Sequence, residues 1–120
     1  MLFRSLDEVS LSGYTMIGEL KEGSITEYKI HPEEFGLPVY GDKQLQVDGP
    51  AQSKEKMLEA LSGKEGAARD IVILNAGVGL YASNFSSSIQ EGIKAAREAL
   101  MSGAAREKLN DFVTVTNSYK

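Results

Sequence analysis

The order of elements predicts an α+β fold: an N-terminal antiparallel β-hairpin or short sheet followed by about four helices. Three observations predict it. Ser24-Ile25-Thr26-Glu27-Tyr28-Lys29-Ile30 alternates strictly, as a half-buried strand does. Lys21-Glu22-Gly23-Ser24 just before it is a turn, because Gly23 accepts a positive φ without steric cost. From Ser53 onward the apolar residues recur at helical spacing, and no later segment repeats the strand pattern cleanly.

Residues 9–30 read as strands. Val9 and Leu11, then Tyr14 to Leu20, carry β-branched, aromatic and alternating residues. Met16, Ile17 and Leu20 then face Ile25, Tyr28 and Ile30 across the hairpin, in a register the sequence leaves open. His31-Pro32-Glu33-Glu34-Phe35-Gly36 closes it, with Pro32 opening one helical turn and Gly36 stopping it. Residues 36–52 are Gly- and Pro-rich without a sustained period and form an irregular connection.

The remainder, 53–116, reads as helical. Ser53 can cap a helix from Lys54 to Leu61, with Met57, Leu58 and Leu61 on one face and Gly63 as the stop. Glu65 or Gly66 to Tyr81 is the longest apolar stretch. A strand over Ile71–Leu74 is the alternative, but length and flanking alanines favour a helix buried nearly all round. Gly77 and Gly79 cost such a helix roughly 1 kcal/mol each unless another backbone packs closely there. Ser88 and Glu91 form a capping-box pattern ahead of an amphipathic helix whose inner face is Ile89, Ile93, Ala96 and Leu100. Gly103 interrupts, and Ala104–Val113 is a last short helix with Leu109 and Phe112 inward, followed by a loose tail from Asn117 to Lys120. The expected organisation is a single partial domain: a hairpin region over 1–35, the connection 36–52 and the helical region.

Composition narrows the function classes. The 120 residues suffice for one domain at most, and 42% hydrophobic with 25% charged residues is ordinary for a globular protein. A net charge of −4 argues against non-specific nucleic-acid binding, which needs a basic patch. No apolar run is long enough for a membrane helix, and Met1-Leu2-Phe3-Arg4-Ser5 is too short a lead for a signal peptide. With no cysteine, disulfides and thiolate metal sites are excluded, and a cytoplasmic setting is expected.

The chemistry-bearing feature is the acidic pair Asp7-Glu8 at the mouth of the expected sheet. Oxygen-only ligands suit Mg²⁺, a hard cation that keeps several waters and bridges to phosphates. On residues alone the pair is a weak signal and reads first as a solvated surface pair. On an extended strand neighbouring side chains point to opposite faces, so sharing one ion requires a backbone turn before Val9 or a second ion. Ser10-Leu11-Ser12-Gly13 lies close enough in sequence to touch a substrate beside the metal. His31, the one histidine, reads as a surface residue. Asn75-Ala76-Gly77-Val78-Gly79 lacks Gly-x-Gly-x-x-Gly spacing and reads as helix packing, with Asn75 satisfying a backbone group or capping a neighbour. Ser86-Ser87-Ser88 reads as a cap. Lys54, Lys56, Lys64, Arg97 and Arg106 read as solvated helix charges.

The run Leu6-Asp7-Glu8-Val9-Ser10-Leu11-Ser12-Gly13 resembles the Asp-Glu motif segment of anthranilate phosphoribosyltransferases. The likeness continues through Glu27-Tyr28 and the segment from His31 to Leu37, where family members typically carry an aspartate in place of His31. It is strongest at Leu61-Ser62-Gly63, Arg69-Asp70-Ile71-Val72-Ile73-Leu74-Asn75-Ala76-Gly77 and Leu80-Tyr81. It closes with Gly92-Ile93, Ala96-Arg97-Glu98, Ser102-Gly103 and Lys108-Leu109. The chain departs from the family in residues 1–5, which lack a glycine-containing lead-in, and at Gln46-Val47-Asp48-Gly49-Pro50, where a Gly-Gly-Asp-Pro-type turn is usual.

The resemblance implies the C-terminal third of the family's large α/β domain. It also implies transfer of a 5-phosphoribosyl group from phosphoribosyl diphosphate to anthranilate, a step of tryptophan biosynthesis. Asp7 and Glu8 become Mg²⁺ ligands, direct or through water. The family's glycine-rich diphosphate loop, its Lys-His-Gly-Asn-Arg segment and its anthranilate-binding residues lie upstream and are not found here, so no catalytic or substrate-binding residue is assigned and the chain alone is expected to be inactive. Its orphaned sheet edges are expected to drive self-association. The rival readings are a stand-alone binding module built on the same fold piece and, lower, a fragment of a related nucleoside phosphorylase.

Overall fold

In a computed structural model that describes residues 8–120, a two-stranded antiparallel sheet precedes four α-helices, as the sequence pattern predicts. The chain divides into two compact units, one ending at Gln46 and the other running from Val47 to Lys120.

In the first unit β1 (Thr15–Lys21) pairs with β2 (Ser24–Ile30) in a register that sets Ile17 opposite Tyr28 and Leu20 opposite Ile25. Met16 stands opposite Lys29, so only part of the expected apolar pairing forms. The loop is the two-residue Glu22-Gly23, with φ of 52° and 80°. Two successive positive φ values match the twist of the flanking strands, which is why so short a turn fixes the register. One face carries Ile17, Glu19, Tyr28 and Ile30 and is half-buried to buried; Tyr28 Oη donates to Glu19 Oε1 at 2.8 Å. On the other face Met16, Leu20 and Ile25 are exposed.

Residues 9–13 are not strand. Residues 11–13 bend, and the hydroxyls of this segment bond locally instead of leaving the backbone to a ladder. Leu11 is nonetheless fully buried. After β2, Pro32–Phe35 forms a single 3-10 turn ended by Gly36 in the left-handed region, with Pro32 and Leu37 buried. A second 3-10 turn spans Asp42–Leu45.

The second unit comprises α1 (Pro50–Leu61), α2 (Ala67–Ala82), α3 (Ile89–Met101) and α4 (Ala104–Asn117). Consecutive helices pack on one another, and α2 against α3 is the principal interface. Its core is Ile73, Leu74, Ile93, Ala96 and Leu100, each large side chain worth about 1.5–3 kcal/mol of transfer from water. Gly77 and Gly92 are where the two backbones meet. A Cβ on Gly77 would lie 2.6 Å from the amide nitrogen of Ile93 and 2.7 Å from its Cα. The close approach expected at Gly77 is therefore present; at Gly79 there is open space.

Four local expectations need correction. Helix α1 starts at Pro50 with Gly49 as its N-cap, not at Ser53, because Pro at the first helical position lacks only an N–H that would be orphaned anyway. Met57 is exposed, and Ala60 is the buried residue of that helix. Helix α2 is not buried all round: Val72, Ala76 and Gly79 are exposed, so its apolar composition exceeds its buried face. Helix α4 extends to Asn117, has no buried residue, and leaves Phe112 64% exposed rather than inward. The Ser88 cap forms, its hydroxyl accepting from the Glu91 amide at 3.1 Å. The return bond of the box goes one residue earlier, since Glu91 accepts from the amide of Ser87 at 3.2 Å and from its hydroxyl.

Candidate functional site

Glu8, the second member of the acidic pair, stands where the described residues begin. Asp7 lies outside the described residues. Glu8 is exposed, and the backbone bends there, just ahead of Val9. Four contacts tie down the segment after Val9. Ser10 N–H donates to Thr15 Oγ1 at 3.2 Å, and Ser12 N–H donates to Ser10 Oγ at 3.0 Å. The two serine hydroxyls lie 2.7 Å apart, and the Leu11 carbonyl accepts from the Tyr40 amide at 3.1 Å. With Leu11 buried as the anchor, residues 10–12 form a short pinned segment with two hydroxyl oxygens, preceded by the exposed carboxylate of Glu8.

That donor set is all oxygen, which fits a hard divalent cation and not a soft one. It does not enclose an ion: among the described residues no three His, Cys, Asp or Glu side chains cluster to hold a metal. An ion held here would keep water or ligand oxygens in much of its shell, the usual condition of Mg²⁺ at a phosphate site.

The remaining sequence candidates are not brought to this loop. His31 serves as the N-cap of the Pro32–Phe35 turn, its ring 4.7 Å from that of Tyr14. Asn75 Nδ2 donates to the Ile71 carbonyl within its own helix at 3.0 Å. Ser88 caps α3.

Sequence reasoning passed over Asp70. It is fully buried, and Arg69 Nε donates to its Oδ1 at 2.9 Å with Arg69 itself largely covered. The available signal was an acid in the first turn of the most apolar helix of the chain. A carboxylate there is stabilised by the helix dipole and by its cationic neighbour. Its role is structural, since the charge is shut away from solvent. No helix among the described residues is long and apolar enough to cross a membrane.

A family model described as "Glycosyl transferase family, a/b domain" matches residues 1–106. The anthranilate phosphoribosyltransferase of Cupriavidus metallidurans is 55% identical over 115 residues, which is 96% of this chain and 34% of that protein. The enzyme of the same name from Ralstonia pickettii is 53% identical over the same share of this chain and 33% of its own. Among solved structures, anthranilate phosphoribosyltransferase from Thermus thermophilus superposes with a TM-score of 0.81 at 34% identity, covering 93% of this chain and 33% of that one. The Saccharomyces cerevisiae enzyme in complex with PRPP and Mg superposes with a TM-score of 0.79 at 28% identity, over 94% of this chain and 33% of its own. The chain thus spans about a third of the length of the curated relatives it matches. With its sheet, its helices and nearly all of its sequence accounted for by that match, the chain belongs to the glycosyl transferase family defined by this a/b domain.

Proposed function

We propose that this chain is the C-terminal part of the large domain of an anthranilate phosphoribosyltransferase, contributing the acidic pair that faces the diphosphate of phosphoribosyl diphosphate. The observation that carries this reading is identity above half, over nearly the whole chain, with proteins bearing that name. A solved neighbour complexed with PRPP and Mg supports the ligand pair.

The reaction asks for control of charge. The C1–O bond of the ribose breaks with cationic character on the sugar while the leaving diphosphate gathers negative charge. Bound Mg²⁺ would supply Lewis-acid stabilisation of those oxygens. In this reading Asp7 and Glu8 hold the ion, directly or through water, and the backbone bends at Glu8. The Ser10 and Ser12 hydroxyls, bonded to each other, keep the segment after the pair in shape. No catalytic or substrate-binding residue is assigned to this chain, and in this reading it has no turnover by itself.

A graft tests this. Residues 6–120 replace the matching third of the Cupriavidus metallidurans enzyme, and phosphoribosylanthranilate formation is followed by fluorescence. Activity in the graft, lost in its Asp7→Asn and Glu8→Gln double variant, supports the reading. An inactive but folded graft overturns it, as does turnover by the present chain alone near the rate of an intact enzyme. The hairpin supports self-association as well: among the described residues the two-stranded sheet has two open edges, and Leu20 and Ile25 meet as an exposed cross-strand pair on one face. Light scattering showing a clean monomer across the micromolar range would end that part.

A further inference from the structure

His31 is the only histidine of the chain, and its ring is part of the backbone architecture. Nδ1 accepts a hydrogen bond from the Glu33 amide at 3.3 Å. In return, the Glu34 carboxylate accepts from the His31 amide at 2.9 Å. The two bonds together cap the Pro32–Phe35 turn, which carries the chain from β2 to the buried Leu37. The Leu37 amide itself donates to the Pro32 carbonyl at 3.1 Å, so the cap and the anchor belong to one small structure.

An N-cap acceptor is ordinarily Ser, Thr, Asp or Asn, none of which changes its accepting oxygen between pH 5 and 8. An imidazole does. Nδ1 can accept only while it holds a lone pair, which requires the neutral ring with its proton on Nε2. Once protonated, the ring has two donors and no acceptor, and Nδ1–H is then set against the Glu33 N–H. Histidine is also the side chain whose ordinary titration falls in the physiological range.

We propose that His31 makes the turn after the hairpin a proton-sensitive cap: closed on Glu33 when the imidazole is neutral, and released on that side when it is protonated. The charged neighbours are Lys29, whose Nζ lies 6.0 Å from the Tyr14 ring centroid, and Glu33 and Glu34 in the turn. The Tyr14 ring stands against the imidazole at 54°. Protonation of the ring removes the bond from the Glu33 amide and leaves the bond that Glu34 accepts from the His31 amide. The result is a turn that loosens without detaching.

The test is nuclear magnetic resonance on the full chain between pH 5 and 8. At pH 8 the His31 nitrogen shifts should report the Nε2–H tautomer. On acidification the Glu33 amide proton should move toward the non-bonded range in step with the imidazole, with its protection against exchange falling roughly five-fold, the size of one lost cap. His31→Asn, which keeps an acceptor without a titration, should hold the Glu33 amide flat. A wild-type Glu33 amide that does not follow the imidazole, or an Nδ1–H tautomer at pH 8, overturns the proposal. Both of those readouts come from the unmodified chain and stand even where the variant fails to fold.

Discussion

Gly77 on α2 and Gly92 on α3 touch backbone to backbone: a Cβ on Gly92 would strike the Gly77 carbonyl and come within 2.9 Å of Ser86 Oγ. Two helices can approach this closely only where both lack a side chain. Placing Ala at Gly77 forces a methyl against the Ile93 backbone, which cannot swing aside as a side-chain tip can. Gly77→Ala and Gly92→Ala are each expected to destabilise the chain by about 1–3 kcal/mol, the range for overpacking. Gly79→Ala is the control within the same helix. Its Cβ meets open space, so the gain in helix propensity should dominate and stabilise by about 1 kcal/mol. Urea midpoints of the three variants give the comparison; equal effects at Gly77 and Gly79 would refute the close approach.

Asp70 yields a second prediction. Its carboxylate is out of contact with water and bonded to Arg69 Nε at 2.9 Å. Removing one partner of a buried pair leaves the other charge uncompensated, which costs about 3–5 kcal/mol. Asp70→Ala should therefore be among the most destabilising single changes in the second unit, and denaturant unfolding measures it. Glu98→Ala, on the exposed side of α3, should stay within about 0.5 kcal/mol of the parent.

These two cases show what the sequence could and could not disclose. The hairpin and the existence of all four helices were legible because strict alternation, a turn glycine and cap residues are local signals. The close approach at Gly77 was legible as a cost needing a compensation, and Gly79, one turn-fraction away, carried the same cost without one. Which glycine faces a neighbour depends on tertiary packing. The register of β1 on β2 was not legible either, because the two positive φ values at Glu22 and Gly23 decide it and Glu22 carries no signal for that conformation. Phe112 misled for the opposite reason: helical spacing marks an apolar face, and nothing local says whether that face has a partner. Of the candidate site, the acidic pair could be read directly, whereas the bonds that pin the loop after Glu8 could not, since Thr15 and Tyr40 reach it from outside the motif.

The start of α3 gives a pH prediction. The Ser87 hydroxyl, then the Ser87 amide, hold the Glu91 carboxyl below its usual range, and Lys94 adds a smaller pull against slight desolvation. A carboxyl depressed in the folded state contributes stability that is complete above its ordinary value of 4.5 and disappears as pH falls through the lower folded value. A carboxyl-carbon titration should place Glu91 below the ordinary value of 4.5, and Ser87→Ala should raise its midpoint. Ser88→Ala removes the separate bond to the Glu91 amide and should cost about 1 kcal/mol at neutral pH. A Glu91 midpoint unmoved by Ser87→Ala would show that the hydroxyl is not the cause.

In the proposed reading Glu8 serves a ligand and not the fold. It is exposed and stands at a bend, while Leu11 three residues later carries the burial that holds the segment. Charge at Glu8 is then free to serve a ligand without serving stability. Glu8→Gln should leave the urea midpoint within about 0.5 kcal/mol of the parent, the range for surface changes without special contacts. Leu11→Ala should cost about 2–5 kcal/mol by emptying a fully buried site. In the graft on the Cupriavidus metallidurans enzyme, the same Glu8→Gln change should weaken the response of activity to Mg²⁺ while leaving the melting temperature in place. A Glu8→Gln variant that melts early would assign the carboxylate to the fold instead, and the acidic pair would then lose its reading as the ligand of a metal.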